Sequence, residues 1–247
     1  MLARAGHTAI LAARDAAALE ELARAIAAEG GNAEVLPLDV TDPAAVARAV
    51  TQLTAAGGCD ILVNNAALCR QTDFLLHPLD AQRAELEVNY WGPVRLTRAL
   101  LPGFIARGYG WVVNVSSILG SVASPTTVNY CASKAALEAF SEALHAEVSP
   151  FGIGVSVFVA PHTDTDSGRK VVFEGVHSLP PSYTAQQLVR AIDRAPRRHA
   201  GSPVYSALLW MARLAPGTMR ARIAASARPQ LVLRTGADAL EALSRTH

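Results

Sequence analysis

The feature that most constrains this chain is a regular alternation of short apolar runs, rich in β-branched residues, with longer stretches at helical spacing. Five runs read as strands: "TAILAA" (8–13), "AEVLPLDV" (33–40), "CDILVNNA" (59–66), "WVVNVSS" (111–117) and "GVSVFVA" (154–160). Helical patterns span 15–29, 43–56, 78–107 and 127–149 between and after them. Near-continuous apolar strands suit burial on both faces, and strands separated by helices are joined in parallel through right-handed crossovers. The expected fold class is therefore α/β, a doubly wound parallel sheet with helices on both faces. The helix punctuation agrees. Asp15 can cap the first turn of its helix, Leu19, Leu22 and Ile26 repeat at helical spacing, and Gly30-Gly31 ends the run. Asp42 and Pro43 open the next helix in the same way.

Composition narrows the partners. With 22 Lys+Arg against 21 Asp+Glu the formal charge is +1, so no global field favours nucleic acid. A small-molecule substrate is the expected partner. Cys59, Cys69 and Cys131 form no CxxC pair and no metal-ligand spacing, which predicts no metal site and fits a reducing, cytoplasmic compartment. The 51% hydrophobic fraction is broken into runs too short to span a bilayer, so no integral membrane segment is expected. One domain is expected over 1–247, with a substrate lid at 161–182, where Pro, Gly, Ser and charges mix. The apolar, arginine-bearing tail at 203–247 is expected to cover the pocket or a subunit interface, a membrane-surface helix being the alternative.

The chemistry concentrates in "NYCASKAALEAF" (129–140), where Tyr130 and Lys134 stand four apart on one helical face. A neighbouring ammonium favours the phenolate, so Lys134 is expected to lower the pKa of Tyr130 from about 10 and make it a general acid/base. Lys134 and Lys170 are the only lysines among 22 basic residues. A composition this rich in arginine that still places lysine at 134 points to a need for a compact ammonium. With 5 Tyr in the chain, chance would supply only about 0.04 such pairs. Ser116 and Ser117, at the carboxyl end of the run 111–117, offer a hydroxyl to polarise a substrate oxygen.

Taken together, "NNAA" (64–67), "VNYWGPVRLT" (88–97), "NVSS" (114–117) and "YCASK" (130–134) resemble the short-chain dehydrogenase/reductase family, in order and spacing, over nearly the whole chain. The resemblance implies a Rossmann-like sheet, and it selects Ser117, thirteen positions before the tyrosine, as the catalytic serine. It implies that Tyr130 exchanges the alcohol proton, Ser117 orients the carbonyl and Lys134 holds the nicotinamide ribose. Asn89 would hold a water in the proton relay. Cofactor contacts are implied for Arg14, Asp39, Val40, Asn65, Ala66, Thr163 and Thr165, besides Tyr130 and Lys134. Arg14 at the end of the first strand favours NADP(H) over NAD(H), although Asp15 is adjacent. Homodimers or homotetramers through the helices at 78–107 and 127–149 follow from the same resemblance.

Three departures accompany it. Ala67 stands where the family usually has glycine, and Ala160-Pro161 where it has Pro-Gly, which alters the loop next to the nicotinamide. The strand and TGxxxGxG loop that hold the pyrophosphate on a helix N-terminus are absent from the sequence, so the first βα unit is missing and a gap is expected between the strands at 8–13 and 59–66. The favoured expectation is that Met1 is an internal methionine of a longer protein; the alternative is a truncated relative that has lost the cofactor. Leu119, Val122 and His162 are the substrate candidates, joined by Val171, Val172, Phe173 and Val176 of the lid, and they predict a largely apolar ketone or alcohol. A non-catalytic binding or scaffolding subunit, or an epimerase, remains the rival to an oxidoreductase.

Overall fold

The computed structural model describes residues 1–245. Its strands are β1 (Thr8–Ala13), β2 (Asn32–Pro37), β3 (Ile61–Asn64), β4 (Gly110–Ser117), β5 (Ile153–Ala160) and β6 (Arg198–Ala200). All pairings are parallel. The helices are α1 (Ala16–Ala28), α2 (Pro43–Ala55), α3 (Leu79–Leu86), α4 (Gly92–Arg107), α5 (Ile118–Ser121), α6 (Val128–Val148), α7 (Pro181–Arg194), α8 (Pro203–Leu214), α9 (Pro216–Ala227) and α10 (Gly236–Ser244). The fold is α/β, as the alternation predicts.

The strands form two sheets, β1-β2 and β3-β4-β5-β6. The consequence shows in burial. β4 and β5 are almost wholly buried, whereas β1 and β3 stay largely half-exposed. One core still ties the two sheets together: Leu36 and Leu38 from the first meet Val112, Ile153 and Val155 from the second through Val46 and Leu53 of α2 and Leu96, Leu100 and Phe104 of α4. On the opposite face Val113, Val115 and Phe158 pack against Ala191 and Ile192 of α7. This is the period-two alternation of a sheet covered on both sides.

Asp15 accepts a hydrogen bond from the Ala18 amide, and Asp42 one from Ala44, so both predicted caps form. Gly30 follows α1 at φ +78°, a conformation that costs glycine nothing. Gly92 is required by space: a Cβ there would stand 2.8 Å from Val40 Cγ2, and its absence lets α4 approach the end of β2.

Three sequence expectations are corrected. The run 33–40 pairs only to Pro37, because Asp39 then turns the chain by accepting both the amide and the hydroxyl of Thr41 at 2.8 and 2.7 Å. The run 59–66 shrinks to Ile61–Asn64, its register ending where Asn64 donates to the Asn114 side chain at 2.8 Å. The predicted helix 78–107 is interrupted by a π-helical turn at Glu87–Trp91, and Pro93 and Pro102 lie in α4 where they remove amide donors. β6 and α7 went unassigned in the sequence, since "RHA" carries no period of its own. No helix of the described residues is long and apolar enough to cross a membrane.

Candidate functional site

Parallel strands end on one edge of the sheet, and the residues of interest gather there. Ser117 closes β4 opposite Ala160 of β5, and its hydroxyl accepts the Leu119 amide to start α5. α6 then runs back along the sheet and brings Tyr130 and Lys134 to the same end. Lys134, only 2% exposed, donates from Nζ to the carbonyl of Val115 at 2.8 Å, and its ammonium lies 5.7 Å from the centre of the Tyr130 ring. The Ser117 side chain stands near the phenol and favours its ionised form.

The electrostatics depart from the sequence expectation. Tyr130 is not drawn toward neutral pH: burial raises its pKa above the ordinary value, and the nearby Ser117 only partly opposes this. Lys134 carries the shift instead, lowered to about 8 by burial, with the Glu138 carboxylate among the groups working against it. The reason is the depth of the pair. Desolvation disfavours phenolate and ammonium alike, and at this separation it outweighs their attraction.

Asn89 is fully buried in the π-helical turn. Its carboxamide donates to the Leu68 carbonyl at 2.8 Å and the Ser133 hydroxyl at 3.0 Å, and accepts the Leu68 amide at 2.7 Å. Both amide hydrogens are therefore committed to protein groups. The side chain clamps the segment after β3 onto α6.

The two Thr41 bonds hold the Asp39 carboxyl below its ordinary pKa, and the charge of Arg14, just past β1, adds a smaller push in the same direction. Val40 packs into the core beside α4. Asn65 and Ala66 are exposed just past β3. Thr163 bonds the Pro161 carbonyl and the Thr184 hydroxyl, both at 2.8 Å, and Thr165 accepts the Gly168 amide at 3.0 Å. Both threonines thus shape their own loop. The His162 amide donates to the Tyr205 hydroxyl at 2.9 Å, and burial lowers the pKa of its ring. Leu119 and Val122 are buried, while Val172 and Val176 of the predicted lid face solvent. Burial pushes the Cys69 thiol up to about 12, which leaves no reactive thiolate near Tyr130. Among the described residues no cluster of side chains has metal-binding composition.

Residues outside the sequence reading complete the surroundings. Gln71 pairs with the Val172 backbone in both directions, at 2.8 and 2.7 Å, and reaches the Thr126 hydroxyl at 3.2 Å. It thereby ties the lid segment to the turn before α6, where Thr126 is held at φ +64°, a strained conformation for a β-branched residue. Glu138, one turn beyond Lys134, accepts Ser116 at 2.6 Å, Ser121 at 3.2 Å and Arg198 at 2.9 Å, and Arg198 also donates to Ser121 at 2.7 Å. Its place on the Lys134 face was legible in the sequence. Its partner sixty residues away was not.

Removing one side of a buried ion pair strands the other, at a cost of about 3 kcal/mol. We expect Glu138→Ala to lower the thermal midpoint by roughly 6–12 °C, read by circular dichroism; a midpoint within a degree or two of wild type would show that the network carries no stability.

An open parallel sheet with polar groups gathered past its strand ends defines the Rossmann-like class of α/β proteins. The chain belongs to the short-chain dehydrogenase family, whose model, described as short chain dehydrogenase, matches residues 1–173. It is 32% identical over 245 residues to dehydrogenase/reductase SDR family member 7B of Bos taurus, covering 92% of this chain and 75% of the relative. It is also 37% identical over 207 residues to a fatty acyl-CoA reductase of Acinetobacter baylyi, covering 81% and 69%. A short-chain dehydrogenase from Sphingobium yanoikuyae in complex with NADPH superposes with a TM-score of 0.76 at 28% identity, over 88% of this chain and 86% of that one. The family is one of oxidoreductases that bind NAD(P).

Proposed function

We propose that this protein is an NADP(H)-dependent reductase acting on a carbonyl, or in reverse on a secondary alcohol, of a largely apolar small molecule. The observation that carries the reading is the convergence of Ser117, Tyr130 and Lys134 at the carboxyl end of β4, with the buried Lys134 ammonium 5.7 Å from the centre of the Tyr130 ring. The donor set fits parts of the cofactor: Arg14 offers a cation for a 2′-phosphate, Asn65 and Ala66 are exposed past β3, and Lys134 offers an ammonium for a ribose hydroxyl. The nicotinamide, when bound, supplies the hydride.

The rest is done by the chain. Tyr130, a neutral phenol at physiological pH, gives its proton to the carbonyl oxygen as the hydride arrives at carbon. Ser117 fixes that oxygen by a hydrogen bond. Lys134 stabilises the phenolate left behind, and Asn89 acts as a positioning residue by holding the post-β3 segment against α6. Leu119, Val122 and His162 border the substrate side, and Thr163 and Thr165 shape the loop over the cofactor. The acyl-chain chemistry in the name of the Acinetobacter relative agrees with an apolar substrate. A single domain, a cytoplasmic setting and a homodimer or homotetramer through α4 and α6 belong to the same reading.

The test is a fluorescence titration of NADPH and NADH into the protein. NADPH is expected to bind about tenfold more tightly, and Arg14→Ala to erase that difference while leaving NADH unchanged. Equal affinity of the wild type for both would remove the NADP(H) assignment.

A further inference from the structure

α8 is apolar on both sides. Its inner side is held by Tyr205, buried and bonded to the His162 amide, and by Leu209, packed against Val157 and Val159 of β5. At about 100° per residue the opposite side carries Val204, Ala207, Trp210, Met211 and Leu214. There Val204 is 65% exposed, Trp210 64%, Met211 42% and Leu214 79%. A helix hydrophobic all round belongs in a buried setting, so this outer face lacks its partner.

Charge identifies the partner. From residue 194 to 237 the sequence contains eight arginines and no Asp or Glu. Arg213 at the end of α8 and Arg220, Arg222 and Arg228 in and after α9 are exposed, and none forms an ion pair among the described residues. Glu174, which shares a surface hollow with Arg222, is the one acidic side chain lining it. A second copy on a two-fold axis would set these arginines against their own equivalents, which like-charge repulsion opposes. The face is also small: one helix of 12 residues is about 18 Å long and about 10 Å across, roughly 180 Å², well short of the roughly 800 Å² per partner of a standard protein interface. Exposed Val204, Trp210, Met211 and Leu214 on a helix in an arginine-rich segment free of acidic residues are a composition that settles at a bilayer surface, where buried apolar area and attraction to anionic headgroups add.

We propose that the outer face of α8, with the arginines of α9, docks this protein on an anionic membrane surface, with the helix lying in the interface and not crossing it. The inference is independent of the reductase reading. The test is flotation of the full chain with vesicles of phosphatidylserine in phosphatidylcholine, against phosphatidylcholine alone, at low and high salt. Binding is expected to the anionic vesicles, to weaken with salt, and to fall about tenfold or more in Trp210→Ser/Leu214→Ser, whose replaced side chains are exposed and outside the core. Absence of binding to either vesicle, or binding untouched by the double substitution, would overturn it. So would sizing by light scattering that shows a dimer dissociated by the same substitutions without lipid, since the second copy would then be the occupant.

Discussion

Tyr130→Phe is expected to slow carbonyl reduction by about a thousandfold while leaving NADPH affinity within about twofold of wild type. The substitution removes one oxygen and keeps the ring, so packing at the Lys134 ammonium, 5.7 Å from the ring centre, is preserved. What disappears is the phenol proton that Tyr130 carries at neutral pH. Steady-state rates on a panel of ketones, alongside the cofactor titration, measure both. Retained turnover would take the acid/base role away from Tyr130 and leave its signature as architecture. Loss of both turnover and NADPH binding would instead say that the site had collapsed.

The second large effect is at Lys134. Lys134→Arg keeps the charge yet is expected to lower turnover at least a hundredfold, because the ammonium is buried and already committed to the Val115 carbonyl at 2.8 Å. A guanidinium must overpack that slot, at about 1–3 kcal/mol. The pH dependence follows from the lowered pKa. Reduction requires the ammonium to steady the developing phenolate, so the rate should fall as pH rises through about 8. Stability moves the other way. The folded state holds this proton less tightly than the unfolded chain, whose lysine titrates near 10.4, so between about 8 and 10.4 unfolding takes up a proton and the contribution of Lys134 to stability rises with pH. Rate and thermal midpoint across that window therefore diverge in sign, and a reduction rate flat from pH 7 to 10 would contradict the assigned charge state.

Much of this was legible in the chain. The strand β1 was read to the residue and β4 and β5 to within one, because each is a short, mostly apolar run whose ends are marked by turn or cap residues. The caps Asp15 and Asp42 were legible because a cap is a local bond between a side chain and an amide two or three residues on. The meeting of Tyr130 with Lys134 follows from helical periodicity alone.

Other features depended on where distant segments come to rest. Nothing local announces that Glu138 meets Arg198, that the Gln71 side chain serves as a strand partner for Val172, or that Asn89 spends its amide on Leu68 and Ser133. The charge states were equally hidden. Spacing placed the ammonium beside the phenol, and from spacing alone attraction should win; burial at the end of β4 reversed the outcome by charging both groups for lost water. The sequence by itself determined the α/β class, the strand-end location of the polar residues and the identity of the pair on α6, since each rests on periodicity or short-range bonding. The tertiary structure alone decided the division into two sheets, the network behind Lys134 and the outward apolar face of α8, because each depends on how much water and which neighbours remain once the chain has closed.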